Sequence, residues 1–487
     1  MVLEMAGSRI VAPYMGTSLV VWTSLIGIIM ASLTLGYYMG GRLSDAHPSA
    51  SYLSRIIAVA AAVTAVVALL SYTLLEALSS GVGNIYVSSV IASVCLFAPP
   101  SALLGMVSPF IVRLAIHNLG EAGETVGRFS ALSSAGSILG TFLGGFVLVA
   151  HFSSQTILFM IAAVLAAVAF ILRRTKIGAA SAALIFTVSL VLGVSSEAGV
   201  LRARTSNQFR QIAGVETQYN SIKIMEAGYD ASGTGAYRGI RILKMSPFAW
   251  QSIMYLDNPT ELFSRYTQYV DLALRYYKPD AESALILGGA GYCIPKYLTA
   301  SYPSLSVDVV EIDSGMTKVA REYFSLRDTP KQRIFHEDAR VFLNREARDG
   351  SLKYDLVFDD AFSSADTLPF HLTTVECVKR VHDIMSPGGV FITNVIAPLD
   401  SKLLGGLYGA VAASFPNAML YAIDNPENRQ EVQNLLIIAV KSDTIPDAPP
   451  KDERVAEMLS HRVTKAYEPS VPPFTDALAP VELYNIR

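Results

Sequence analysis

Four carboxylates in the second half of the chain stand at the ends of apolar runs. Glu311 closes VDVVE, Asp338 follows RIFHE, and Asp359 and Asp360 close YDLVFDD. A carboxylate at a strand tip can accept the two hydroxyls of a ribose, stabilise a cation or take a proton from an amine. One alone is more often a helix cap or a solvated turn residue. Four converging on one sheet edge suit a cationic, hydroxyl-rich ligand. Upstream, ALIL (284–287) meets a turn, Gly288-Gly289-Ala290-Gly291, then a helix-compatible segment, then the second apolar run and its acid, with Asp313 two residues on. Glycines let the backbone pass close under a ligand, and the next helix offers its unpaired N–H groups. A GGxG turn by itself also marks tight strand–helix packing. Strand, turn, helix and terminal acid at this spacing point to a nucleoside-containing cofactor, with Glu311 placed for the ribose.

These residues need a scaffold that brings strand tips together. From residue 283 to 445, apolar strands alternate with helical stretches, which predicts an α/β doubly wound sheet of Rossmann type with ligand at the carboxyl ends of its strands. AMLYAI and NLLIIAV around a polar loop predict a closing hairpin. Before this, YNSIKIMEA, RGIRILKM and QSIMYL predict a small antiparallel sheet within 213–282. Leu262 to Tyr277 reads as an amphipathic helix. Residues 196–212 read as a polar connector, and 446–487 as a Pro-rich tail on the surface.

The first half has a different composition. The chain has 487 residues, 52% of them hydrophobic, with mean hydropathy +0.40. Of its 38 Lys+Arg and 41 Asp+Glu, only about 14 fall in the first 200 residues. Apolar segments at about 17–39, 54–76, 84–105, 128–150, 154–172 and 178–195 are each about long enough to cross a ~30 Å hydrocarbon layer, which predicts a transmembrane bundle of about six helices over 1–195. Pro99-Pro100 should kink or end the third. Gly136, Gly140 and Gly144 should line a packing face of the fourth. Arg42, Arg55, Arg113, Arg128, Arg173, Arg174 and Lys176 flank alternate loops, which puts those loops in the cytoplasm. Six crossings would then put the soluble half outside; a cofactor made in the cytosol argues for a cytoplasmic domain, which is the expectation adopted. The net charge of -3 and the lack of a basic tract give no sign of nucleic-acid binding. Cys95, Cys293 and Cys377 show no zinc spacing, so no metal is expected.

At these residues the chain resembles the spermidine synthase family of aminopropyltransferases, within the class I S-adenosylmethionine-dependent fold, over about 215–440. EMAGSRIVAPYMGTSLVVWTSLIG and LGYYMGGRLSD resemble its membrane-fused group. The resemblance implies a site residue by residue. Asn220, in TQYNSI, stands where the family has a glutamine contacting the nucleoside sulfur ligand. Tyr266, in RYTQY, matches the tyrosine lining the aminopropyl channel, and Thr267 replaces a His or Gln. Glu311 matches the ribose acid. Asp338-Ala339 matches the pair at the adenine. Asp360 matches the acid that accepts the proton, with Asp359 beside it in the cofactor set. Gln251, Ser363 and His371, the last in PFHLTT, are candidate substrate contacts. Two positions depart from the family: Gly291 replaces the acid that holds the donor amine, and Ser363 replaces the acid that binds the diamine.

The resemblance implies transfer of an aminopropyl group from decarboxylated S-adenosylmethionine, as co-substrate, to a small or lipid-associated amine, by a membrane enzyme with a homodimer as a possible assembly. Methyl transfer from S-adenosylmethionine is the nearest alternative, since Gly291 would suit a donor that kept its carboxylate. A transporter-like bundle with a nucleoside-sensing domain, or a membrane scaffold binding no nucleoside, are readings from other classes.

Overall fold

The computed structural model describes residues 1–16, 18–81, 85–116, 122–172, 176–197, 209–230, 237–246, 249–362, 367–464 and 467–484. The chain divides into two compact units. The first holds Met1–Arg204 with Glu216–Ser221, and the second holds Thr205–Val215 with Ile222–Ile486.

The first unit is helical: α1 (Val2–Met15), α2 (Leu19–Ala46), α3 (Ala50–Gly81), α4 (Ile85–Gly105), α5 (Val107–Ala115), α6 (Ala122–Phe142), α7 (Val149–His151), α8 (Ser154–Leu172) and α9 (Lys176–Glu197). Among the described residues, five spans are long and apolar enough to cross a membrane: Leu19–Ala46, Ala50–Leu78, Tyr86–Ala115, Ala122–Leu148 and Ser154–Leu172. The sixth expected segment lies in α9, whose apolar stretch among those residues is the shorter Ala183–Gly193. Helix α4 runs through Pro99 and Pro100 and ends only at Gly105, so the prolines neither stop it nor set its boundary.

The direction of each helix is read from its contacts. Ser24 Oγ lies 3.1 Å from Ser89 Oγ, and Gly36 and Gly40 meet Ala102 and Met106, so α2 and α4 run parallel. Gln155 Nε2 donates to the Ala68 carbonyl at 2.8 Å and Ser54 Oγ to that of Ala169 at 2.9 Å, so α8 runs antiparallel to α3. Helix α9 returns along α8, because Thr156 Oγ1 donates to the Gly193 carbonyl at 3.2 Å. The close helix contact falls at Gly36 and Gly105, where a Cβ on Gly36 would run into the Ala102 carbonyl oxygen. The stripe expected for this role packs less tightly: Gly136 has no atom within 4 Å of such a Cβ, while Gly140 and Gly144 meet Val2 and Met5 of α1.

The second unit begins with a four-stranded sheet in the order β1 (Phe209–Glu216), β2 (Ser221–Tyr229), β3 (Arg238–Lys244), β4 (Ser252–Tyr255). Strand β1 starts inside the stretch expected to be a connector. The helix expected over 262–277 is broken: a 3-10 stretch Arg265–Tyr269 leads through one helical turn, α10 (Val270–Leu272), into a π stretch Ala273–Tyr277. Tyr269, Val270, Leu272, Ala273, Leu274 and Tyr277 are all buried there, too many neighbours for one helical stripe.

The main sheet has seven strands in the order β10-β11-β9-β8-β5-β6-β7. Strands β5 (Ser283–Leu287), β6 (Ser306–Val310), β7 (Gln332–Phe335), β8 (Tyr354–Asp359) and β9 (Met385–Ala397) are mutually parallel. Strands β10 (Asn417–Ala422) and β11 (Gln433–Val440) close it antiparallel, so the sheet is mixed at one edge. Helices α11 (Cys293–Ser301), α12 (Ser314–Tyr323), α13 (Ala339–Asp349), α14 (Val375–Ile384) and α15 (Lys402–Ala412) fill the connections. Alternate residues of the buried strands face two separate cores, Ile286 and Phe358 into one, Leu287 and Val357 into the other. The tail is anchored in the second core through Phe474 and Val481 and carries α16 (Glu453–Ser460) and α17 (Val481–Tyr484).

A Gly36→Val substitution should lower the melting temperature of the detergent-solubilised chain by several degrees, as overpacking costs about 1–3 kcal/mol. Gly27→Val on the same helix, where the new Cβ meets nothing within 4 Å, should leave it unchanged.

Candidate functional site

The glycine turn is built around the Glu311 carboxylate. One oxygen accepts from the Gly289 and Ala290 N–H groups at 2.8 and 3.2 Å; the other accepts from the Asp313 N–H at 2.9 Å. Gly288 has φ +90°, and a Cβ there would stand 2.8 Å from the Asp360 carbonyl oxygen, so only glycine lets β5 turn this close to the tip of β8. Ala290 and Tyr292 also adopt positive φ, and Tyr292, fully buried, is fixed by a 2.7 Å hydrogen bond to Thr317 Oγ1. Burial raises the Glu311 pKa while the three N–H groups oppose that rise. Asp313 caps α12 through the Gly315 N–H at 3.0 Å.

Asp360 lies just past β8. Its Oδ2 accepts from Tyr266 OH at 2.9 Å and its Oδ1 from Asn394 Nδ2 at 2.9 Å. Desolvation pushes its pKa up to about 6, against the pull of Asn394 and Tyr266. The Tyr266 phenol is held well above its ordinary value by burial and by the Asp360 charge, so it stays a donor. The group therefore holds an ionised carboxylate at neutral pH that can still take up a proton. Sequence reasoning missed Asn394. It is 1% exposed near the carboxyl end of β9, and its Oδ1 has no hydrogen-bond partner among the described residues. The signal was the polar pair Thr393-Asn394 inside an otherwise apolar strand next to the acid-tipped one.

Asp359 points to the other face. It is buried, with only long contacts of 3.4 Å to Thr393 Oγ1 and the Ala361 N–H, and desolvation pushes its pKa up to about 7. Asp338 caps α13 through the Arg340 and Val341 N–H groups and meets His371 Nε2 at 3.2 Å; that hydrogen bond is the main reason its pKa is lowered. Ala339 is buried at the start of the same helix. His371 is thus joined to the acid expected at the adenine.

Gln251 precedes β4. Its Oε1 accepts from the Met245 N–H at 2.7 Å, and its Nε2 has no partner among the described residues. The neighbouring Ser252, also missed, accepts the Gly291 N–H at 2.9 Å and so ties the small sheet to the glycine turn. Thr267 is buried, its hydroxyl spent on the Ser264 carbonyl. Asn220 falls in the segment grouped with the first unit, where its N–H donates to Thr217 Oγ1 at 2.8 Å. Ser363 lies outside the described residues.

Replacing Asn394 by Leu removes a hydrogen bond that favours the ionised form of Asp360. The Asp360 pKa should therefore rise above about 6, by about one to two pH units for a charged hydrogen bond. A ¹³C-detected titration of labelled aspartate reads this directly.

No family model matches the chain. The chain is 33% identical over 157 residues to a polyamine aminopropyltransferase of Vibrio vulnificus (strain CMCP6), covering 31% of this chain and 51% of that protein. It is 25% identical over 170 residues to the human eEF1A lysine and N-terminal methyltransferase, covering 31% of this chain and 24% of that one. The chain thus spans about half or less of the length of these curated relatives, both of which are transferases. A crystal structure of a probable spermidine synthase from Corynebacterium glutamicum ATCC 13032 aligns with TM-score 0.40 and 18% identity, covering 53% of this chain and 87% of that one. Over about a third of its length, the chain is similar to the polyamine aminopropyltransferases, the likeness that its acid-tipped strands and glycine turn suggest.

Proposed function

We propose that the second unit transfers an alkyl group from a sulfonium nucleoside of the S-adenosylmethionine type to an amine, with Asp360 as proton acceptor. The observation that carries this reading is the Tyr266–Asp360–Asn394 group beside the glycine turn. The sulfonium is already a good leaving group, so the work left to the protein is alignment and proton removal. An amine of pKa near ~10 is mostly protonated at neutral pH. Asp360 takes the proton, Tyr266 orients both partners, and the open Asn394 Oδ1 accepts an N–H of the incoming nitrogen. Glu311 and Asp338 hold the ribose and adenine. For Asp338 this requires His371 to share or yield its bond. The names of the curated relatives support two forms of this transfer: aminopropyl transfer, which would use the decarboxylated donor, and methyl transfer, which would use the intact one.

Asp360→Asn keeps the size and loses the base. It should lower turnover by at least about 100-fold, the range of general base catalysis, while nucleoside affinity stays within a few-fold. Scintillation counting of labelled donor and calorimetry on the same preparation measure the two. A nucleoside-sensing transporter would instead tolerate the change.

We also read the first unit as a membrane anchor, with an acceptor that is a small amine or is held near the bilayer. The helix packing bears on the side. Arg42, Arg55 and Arg113 gather at one end of the bundle, where Arg113 meets Asp45 at 3.0 Å, and α9 returns to the level at which α8 starts. Loop charge then puts the arginine end in the cytoplasm and the chain after α9 on the other face. This supports the outer side over the cytoplasmic expectation. A cysteine placed at the exposed Asp447 should react with a membrane-impermeant maleimide in intact cells; reaction only after lysis would restore the cytoplasmic placement.

A further inference from the structure

The transfer reading leaves open which end groups the donor carries, and the wall behind the glycine turn bears on that. Strand β4 presses Ser252 onto Gly291. A Cβ on Gly291 would stand 2.7 Å from Ser252 Cβ, 2.9 Å from its Oγ and 3.1 Å from Phe324 Cδ1. No acidic side chain can be accommodated at that position without displacing this wall. Three of the acids nearby are already engaged: Glu311 by three backbone N–H groups, Asp313 as the cap of α12, Asp360 by Tyr266 and Asn394. Asp359, with only 3.4 Å contacts, points to the other face, towards Thr393. An ammonium arriving at Gly291 therefore finds no carboxylate reserved for it on this face.

A cation stands behind the same wall. Lys296, on α11, is 6% exposed. Its Nζ donates to the Phe324 carbonyl and reaches Met254 Sδ at 3.3 Å, and it forms no ion pair among the described residues. Phe324 and Met254 thus link it to the residues that enclose Gly291. Burial lowers its pKa, the mark of a positive charge without a compensating anion. In a poorly solvated setting such a charge acts over several ångströms.

We infer that the donor keeps its carboxylate: the second unit takes intact S-adenosylmethionine, its α-carboxylate compensating Lys296, and the group moved is methyl. This rests on the transfer reading above and narrows it. In the step, the lone pair of the acceptor nitrogen forms the N–CH₃ bond. The S–CH₃ bond breaks with its electrons left on sulfur, giving the neutral thioether S-adenosylhomocysteine, and the surplus proton on nitrogen passes to Asp360.

Calorimetry of the full chain in detergent with four nucleosides tests this. S-adenosylmethionine and S-adenosylhomocysteine should bind at least tenfold more tightly than decarboxylated S-adenosylmethionine and methylthioadenosine. Lys296→Met should weaken S-adenosylhomocysteine about tenfold and leave methylthioadenosine within twofold. A merely structural lysine would move both alike, which overturns the inference. The double change Gly291→Asp with Ser252→Gly, which takes away both the Cβ and the Oγ facing the new side chain, should reverse the preference. If wild-type protein binds the decarboxylated donor as tightly as the intact one, the inference is wrong and the transfer reading stands. If none of the four binds, both fall.

Discussion

Asp360 is held by two hydrogen-bond donors at the tip of a buried strand, and much of the second unit is arranged so that this can happen. A carboxylate surrounded by protein is costly unless its oxygens are satisfied. Here one oxygen is met by a phenol from the broken helical segment and the other by an amide near the carboxyl end of β9. The two donors hold the acid in place yet do not lower its proton affinity to that of an exposed carboxylate, because desolvation outweighs them. That balance separates a base from a structural ion pair. Arg333 and Tyr354 also satisfy a buried acid, Asp308, but there one of the two partners is a charged guanidinium.

The same logic, with a different outcome, applies to Glu311. Its oxygens gather three N–H groups of the glycine turn and of the next helix start, so the acid shapes the turn from below. A ribose placed there would meet a carboxylate already fixed in orientation, which reduces the ordering cost of binding. Gly288 completes the arrangement, since any side chain there would strike the backbone of Asp360. Asp360 and the glycine turn are therefore packed directly on one another.

The parallel strands, the closing hairpin and the acids at strand tips were legible because burial on two faces forces apolar runs, and those runs end visibly. The hydrogen bonds that give the acids different tasks were not legible. Nothing local in the sequence separates Asp313, a helix cap, from Asp360, the proposed base, and Asn394 is recognisable only once β9 is known to lie beside β8. The segment 262–277 has helical spacing, but most of its apolar residues are buried, and it forms a 3-10 stretch, one helical turn and a π stretch in place of one amphipathic helix. In the first unit, hydropathy marked the spans, while the close helix contact went to Gly36 and Gly105 in place of the more regular Gly136, Gly140 and Gly144. Helix-to-helix register decides that, and sequence periodicity does not carry it.

Transfer by this mechanism requires Asp360 to be ionised, and the pH dependence of kcat/KM in the wild-type chain tests that requirement directly. An inflection near pH 6 is expected, with the profile one order steeper in proton concentration below it than above, since the carboxylate then takes up the proton it should be removing. A profile without an inflection between pH 5 and 7 would contradict the assignment of Asp360 as the proton acceptor.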